Sequence, residues 1–445
     1  MRVVIIGAGA VGTSIAASLS AEHDVVVVDR DESRVEELKY ELDVLTLTGD
    51  GTSLETLETA NVANADMFLA CTDDDRANLV ACGTAKTVGE PFTIARTKSI
   101  EYLHTWQRNQ KAFGVDFLVC SDLLTAEDIV RVIGLPAAID VDPFAGGLVH
   151  MAEFEIAPDS PVTGQTVAEA DRFESLTFAG LFRDDRILIP SGDTVIEPDD
   201  RAVVIGSPES VQAFALDVAP EATPDSADEI VIIGGSEIGF HTARLLQERG
   251  LRPRLIEEDH DRARYLAEEL PSTVVMEHDA TDTEFLAREH VDEADIVLAA
   301  IQSDERSLLT AVLAKRLGAD RVIAIVDNPD YVQLFEEIGI DVAINPREVT
   351  AEEITRFSFE SVAVNLSVLE HDQAEVFEFE LEADSDLVGQ TLVELDEELG
   401  FPFVVGAVTR GRKFVTPRGN TEFQAGDHIV VFLETTHVNE FIARA

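Results

Sequence analysis

The chain has 445 residues, enough for two to four domains each burying its own core, and 45% of them are apolar. Against 33 basic residues stand 86 acidic ones, a formal net charge of −53, which excludes the basic face a nucleic-acid partner requires. No apolar run approaches the roughly 20 residues that span a bilayer, the opening strand pattern leaves no room for a signal peptide, and Cys71, Cys82 and Cys120 have neither disulfide nor metal-ligand spacing, so a cytoplasmic protein is expected.

Only six of the basic residues are lysines. Apolar periodicity runs through most of the chain, which separates it from disordered acidic proteins. The charge therefore predicts a folded, carboxylate-coated, halophilic surface. In molar salt the Debye length falls to roughly 3 Å and screens such self-repulsion.

Residues 1–135 alternate short apolar runs (Val3–Ile6, Val25–Val28, Val44–Leu47, Met67–Ala70, Phe92–Ala95, Phe117–Val119) with segments of helical spacing such as Ser33–Leu42, Ala77–Val88 and Leu123–Ile133. Nearly continuous apolar strands separated by helices predict a doubly wound parallel sheet, a Rossmann-like lobe. From 140 to 219 the helical period fades, alternation as in Phe154-Glu155-Ile156 appears, and turn signals predict a small β-rich domain. Residues 220–228 lack any apolar period and read as a linker. The plan then restarts, with a second parallel-sheet lobe over 229–355 and a second β-rich domain over 360–445. Gly389-Gln390-Thr391 repeats Gly164-Gln165-Thr166, and Gly426-Asp427 repeats Asp199-Asp200. The predicted fold is α/β, a tandem duplication of a Rossmann-like domain followed by a small β-rich α+β domain.

Gly7-x-Gly9-x-x-Gly12 follows a strand and opens a helix, and Asp29 ends the next strand 22 residues after Gly7. In that setting the motif is a dinucleotide fingerprint. Gly7 permits the turn, Gly9 lets a pyrophosphate approach the backbone, Gly12 brings helix and sheet together, and Ala10 and Val11 open the helix whose N–H groups meet the phosphates. Asp29 suits the ribose hydroxyls of NAD(H) and repels a 2′-phosphate, although the adjacent Arg30 is able to reach one. Asp50 is expected near the adenine, and Thr72, Asp73 and Asp74 near the second ribose. Asn78 and Arg96 complete the candidates.

The second copy retains Gly234, Gly239, Glu257 and Asp279 as a weaker site. Ser236 replaces the middle glycine, Ile325 replaces Arg96, and Glu237 falls where the pyrophosphate would lie. Like charges about 5 Å apart cost roughly 3 kcal/mol at an effective dielectric of 20. Weak or absent nucleotide binding is expected there, with Glu237 serving as an internal anion at the helix terminus. No GxSxG, HExxH, P-loop or paired metal-ligand histidines occur, so no catalytic residue and no metal site are expected.

Together the motifs GAGAVG, VVVVDRDESR, GDGT, TDDDRANLVAC and IARTKSIEYL and the repeated GQT modules resemble the TrkA family, regulatory subunits of Trk potassium uptake systems built from two tandem RCK (KTN) units. The resemblance spans essentially the whole chain. It implies a cytoplasmic, membrane-peripheral gating ring of four copies on a TrkH-type pore protein, controlled by NAD(H), ATP or ADP at the first lobe. It carries the nucleotide site to Gly7, Gly9, Gly12, Asp29, Asp50, Asp74 and Arg96, and expects ligand-driven closure to rearrange the lobes through the helix at 123–133. A sensor of the same fold serving another cation channel or antiporter is the nearest alternative, and an NAD-dependent oxidoreductase a more distant one.

Overall fold

A computed structural model describes residues 1–20, 23–109, 111–135, 137–183, 186–220, 229–358, 365–369, 374–383, 385–411 and 413–442. The expected linker at 220–228 lies outside them apart from Pro220 and carries no structural account.

The first sheet consists of β1 (Arg2–Ile6), β2 (Asp24–Asp29), β3 (Leu45–Thr48), β4 (Met67–Ala70), β5 (Phe92–Thr97) and β6 (Phe117–Cys120). Its helices are α1 (Ala10–Ser20), α2 (Glu32–Glu41), α3 (Leu54–Thr59), α4 (Asp75–Val88), α5 (Ile100–Arg108) and α6 (Ser121–Ile133). The strand order is β3-β2-β1-β4-β5-β6, all parallel, so the chain reverses its direction of progress between β1 and β4 and leaves a crevice at their carboxyl ends. Val3, Val4 and Ile5 are wholly buried because helices cover both faces.

The first β-rich domain holds β7 (Ala138–Phe144), β8 (Val149–Glu155), α7 (Val167–Ala170), β9 (Leu176–Arg183), β10 (Arg186–Leu188), β11 (Arg201–Gly206) and α8 (Pro208–Val218). Its antiparallel sheet runs β10-β9-β11-β8-β7.

A second parallel sheet follows, of order β14-β13-β12-β15-β16-β17, from β12 (Ile230–Ile233), β13 (Arg254–Glu257), β14 (Val274–Glu277), β15 (Ile296–Ala299), β16 (Arg321–Ile325) and β17 (Val342–Ile344). Around it lie α9 (Glu237–Glu248), α10 (His260–Glu269), α11 (Thr283–Arg288), α12 (Asp304–Leu317), α13 (Val332–Glu337) and α14 (Pro346–Ser358). The last domain contains β18 (Asn365–Leu369), β19 (Ala374–Glu380), α15 (Leu392–Leu399), β20 (Phe403–Arg410), β21 (Lys413–Val415), β22 (Asp427–Glu434) and α16 (Val438–Ile442), with sheet order β18-β19-β22-β20-β21.

These pieces form two compact units, Met1–Val130 with Asp228–Ser358 and Arg131–Ala227 with Phe359–Ala445. Each unit pairs like with like. Within the first, α14 of the second lobe packs along α1 of the first, and Arg249 at the end of α9 donates to the Val130 carbonyl on α6 at 3.1 Å. Within the second, Phe144, Met151, Phe182 and Ile205 of one antiparallel sheet share a core with Val376, Val430 and Phe432 of the other. The alternation expected at Phe154-Glu155-Ile156 holds, Glu155 being exposed between two buried residues, but just before it Met151, Ala152 and Glu153 are all buried, because the second sheet covers the face that would otherwise meet water. Close approach is specific, since a Cβ at Gly180 would meet the Phe432 ring at 2.5 Å and one at Gly406 the Ile205 side chain at 2.5 Å.

The duplicated motifs have equivalent local work. Thr166 and Thr391 each close a capping box, with Glu169 and Glu394 reaching back to the cap. Asp200 and Asp427, both fully buried, each bind one arginine through two bonds, Arg183 at 2.7 and 2.7 Å and Arg410 at 2.8 and 2.8 Å.

Candidate functional site

The first crevice opens above β1. Gly7 has φ +110°, a conformation that L side chains rarely adopt. A Cβ on Gly12 would fall 1.9 Å from the Gly7 carbonyl oxygen, so α1 sits against the turn only because Gly12 has none. Gly9 differs: a Cβ there would meet only the Arg34 guanidinium, at 3.7 Å, so the backbone is open toward the cavity. Asp29 accepts from Ala8 N–H at 2.6 Å and Asp31 N–H at 2.9 Å, bonds that aim its carboxylate across the same opening.

Further along the sheet edge, Asp50 accepts from the backbone and hydroxyl of Thr52 at 2.9 and 2.8 Å; those bonds, with Arg30 nearby, hold its carboxyl below the usual range despite partial burial. Thr72 is fixed by Asn78, whose Oδ1 accepts from its amide and hydroxyl while Nδ2 donates to the Thr72 and Arg96 carbonyls. Asp74 caps α4, accepting from Arg76 and Ala77 N–H at 2.9 and 3.1 Å. Arg96 is 6% exposed; its Nη1 donates to the Thr72 carbonyl and the Asp73 carboxylate, both at 3.3 Å, and its buried Nε has no partner in the structure. Partial loss of water at the crevice mouth would raise the carboxyl of the largely exposed Asp73, but Arg96, Lys98 and Arg347 outweigh that and hold it low.

These residues enclose a cavity of about 390 Å³. Gly7, Gly9, Ala10, Val11, Asp29, Arg30, Asp50, Thr72, Asp73, Asp74 and Arg96 lie on its wall; Gly12 lies behind it, and Asn78 is a buried brace between β4 and β5. Sequence reading missed two charged wall residues, Arg34 on α2 and Arg347 on α14 of the second lobe. Arg34 was legible, since it follows the acidic strand end by five positions in a repeated segment; Arg347 is brought in only by tertiary packing. The wall thus presents four carboxylates and four guanidiniums. Cys71 is also on it, but burial pushes its thiol up to about 12, which makes it no nucleophile.

The second crevice encloses about 480 Å³ and has a different wall. Gly234 keeps φ +106°, and Glu257 accepts from Gly235 and Asp259 N–H at 2.6 and 2.8 Å, as Asp29 does in the first lobe. Gly234 and Glu257 are on this wall, whereas Gly239 lies behind the turn and Asp279 makes a local turn with Thr281. The helix terminus is capped by Ser236, whose hydroxyl accepts from Gly239 N–H at 3.2 Å. Glu237 instead turns to Arg262 at 3.0 Å, and Arg262 donates to the Gly235 carbonyl at 2.6 Å. Arg306 is bound by Glu258 through two bonds of 2.6 Å. Both guanidiniums on this wall are therefore committed to carboxylates before any anion arrives. Among the described residues there is no cluster of three or more potential metal ligands, and no helix long and apolar enough to cross a membrane.

Comparison with known proteins agrees with the internal repeat. The TrkA-N domain model matches residues 3–121 and 230–346, and the TrkA-C domain model residues 151–216 and 376–445. The chain is 35% identical over 448 residues to the Trk system potassium uptake protein TrkA homolog 1 of Methanosarcina mazei, covering 99% of each chain. It is 36% identical over 440 residues to the TrkA homolog of Archaeoglobus fulgidus, again covering 99% of each. The solved GsuK channel bound to NAD is similar in fold, with a TM-score of 0.62 at 19% identity, over 100% of this chain and 79% of that one.

Proposed function

Because the chain belongs to the TrkA family of Trk potassium uptake proteins, we propose that it is the nucleotide-controlled regulatory subunit of such a system, switched by NAD(H), ATP or ADP at its first lobe. The observation that carries this reading is the first cavity itself: an open glycine backbone at a helix N-terminus, an acidic strand end and four guanidiniums on one wall. Those groups fit a nucleotide. Gly9 leaves space where a pyrophosphate would approach, and the buried Arg96 Nε lacks a partner. The GsuK channel, of the same fold, has been solved bound to NAD. Asp29 favours an unphosphorylated ribose and so NAD(H) over NADP(H).

The partner is a TrkH-type membrane pore, reached from the cytoplasmic face by a ring of four copies. Nucleotides act by binding two ring states with different affinity, and no bond is broken. No nucleic acid takes part. Asp29→Ala is expected to weaken NADH binding by at least tenfold in calorimetry of the full chain; unchanged affinity would overturn the site. Potassium flux through reconstituted pore and regulator, with and without each nucleotide, tests the role.

A further inference from the structure

The helix after the last strand of each parallel sheet meets the other lobe, α14 packing along α1 and Val130 of α6 accepting from Arg249, and the two helices differ in charge at a shared position. Asp116 and Asp341 fix the register between the lobes: each accepts from the neighbouring strand's backbone (Thr93 N–H at 2.9 Å, Val322 N–H at 2.7 Å) and pairs with a lysine (Lys86 at 2.7 Å, Lys315 at 2.6 Å). Counting from them, Asp122 on α6 and Arg347 on α14 are the same position, the second residue of the helix after the last strand. Asp122 lies close enough to Glu237, at the second crevice, for their charges to repel, and burial with that repulsion pushes its carboxyl up to about 6 against the pull of Lys98 and Arg96. Arg347 instead reaches the wall of the first cavity. At this shared position, therefore, the first lobe carries an acid that stays off the wall of the second cavity, whereas the second lobe carries an arginine that is part of the wall of the first.

We propose that Arg347 is a ligand-recognising residue of the first cavity, reading the terminal phosphate of a nucleoside triphosphate and so making occupancy of the first lobe a contact with the second. The inference rests on the nucleotide reading of that cavity. Three cations, Arg96, Lys98 and Arg347, converge on Asp73, whose carboxylate is 78% exposed and contacts Arg96 at 3.3 Å and Lys98 at 4.0 Å. An exposed carboxylate on so loose a tether is easily displaced, and a phosphate oxygen is a stronger acceptor for the same donors. The buried Arg96 supplies the second, independent indication, because its Nε has no partner and its side chain lines the same wall. Arg347 is half-buried, and Asn345 holds the start of its helix by accepting from Arg347 and Glu348 N–H at 2.9 and 3.0 Å. The side chain is thus presented from a fixed helix terminus, so substitution at its tip leaves the cap in place.

The test is titration of the full-length protein with ATP, ADP and NADH in one KCl concentration, comparing wild type, Arg347→Gln and Arg347→Lys. A lost charge-assisted phosphate contact is expected to weaken ATP roughly tenfold or more, ADP and NADH less than about twofold, with Arg347→Lys recovering part of the loss. If Arg347→Gln binds ATP as tightly as wild type, Arg347 does not read the ligand. An equal loss for ATP and NADH would overturn the phosphate role as well, since it would make Arg347 a support for the whole crevice. Wild-type protein that binds none of the three would instead overturn the nucleotide reading and this inference with it, a result distinct from failure of the variant alone.

Discussion

His241, on α9, is 1% exposed and neither ring nitrogen has a partner in the structure. Burial first, then the positive charges of Arg244, Arg262 and His104, push its pKa down to about 4. The folded chain therefore holds a neutral imidazole where the unfolded chain would take a proton near pH 6.5. Stability is unaffected above that pH and is lost as pH falls from about 6.5 to about 4, by roughly 2 kcal/mol at pH 5 for this one group. His241→Leu is expected to flatten that slope, so its denaturation midpoint should exceed the wild type by more at pH 5 than at pH 8. Equal offsets at the two pH values would show that proton linkage at His241 is absent.

At the scale of elements, the second crevice keeps the turn of the first but has its helix terminus and arginines taken up from within. Ser236 caps α9, and Arg262, the counterpart of Arg34, is captured by Glu237. Ser236→Gly with Glu237→Ala should free both the helix N-terminus and Arg262. Calorimetry is then expected to show NADH binding rise from one to two per chain, the new site gaining at least tenfold in affinity; a stoichiometry still at one would mean that other wall residues, Glu258 and Arg306 among them, keep it shut. Much of this was legible beforehand. The glycine spacing, the acidic strand end and the apolar strands carry strong local signals, and the structure places them on one crevice edge. The double burial of β8 and the arrival of Arg347 depend on which surfaces pack together, and periodicity within one segment holds no record of that. Asp74 and Glu237 illustrate the opposite limit: their places were legible, but their hydrogen-bonding tasks, a cap and an ion pair, were set by neighbours.

For the whole molecule, the net charge of −53 acts on every interface at once. Self-repulsion opposes both the paired lobes and any ring of copies, and it is screened as salt rises. The melting temperature of the full chain is accordingly expected to climb by more than 10 °C between 0.2 and 2 M KCl, with larger assemblies in sizing chromatography at the higher salt. A melting temperature independent of KCl would remove the halophilic reading of the surface.

The pairing of α1 (Ala10–Ser20) with α14 (Pro346–Ser358) has a consequence in time as well as in space. A ribosome adding about 5–20 residues per second needs roughly 15–65 s to pass from one to the other. Through that interval the first lobe is complete in its own sheet, yet the face of α1 that α14 will cover stays bare. The newborn chain thus carries an unfinished seam, one on which the α14 of another nascent copy would fit as well as its own. Order of synthesis, on this view, is part of what decides whether lobes pair within a chain or between chains.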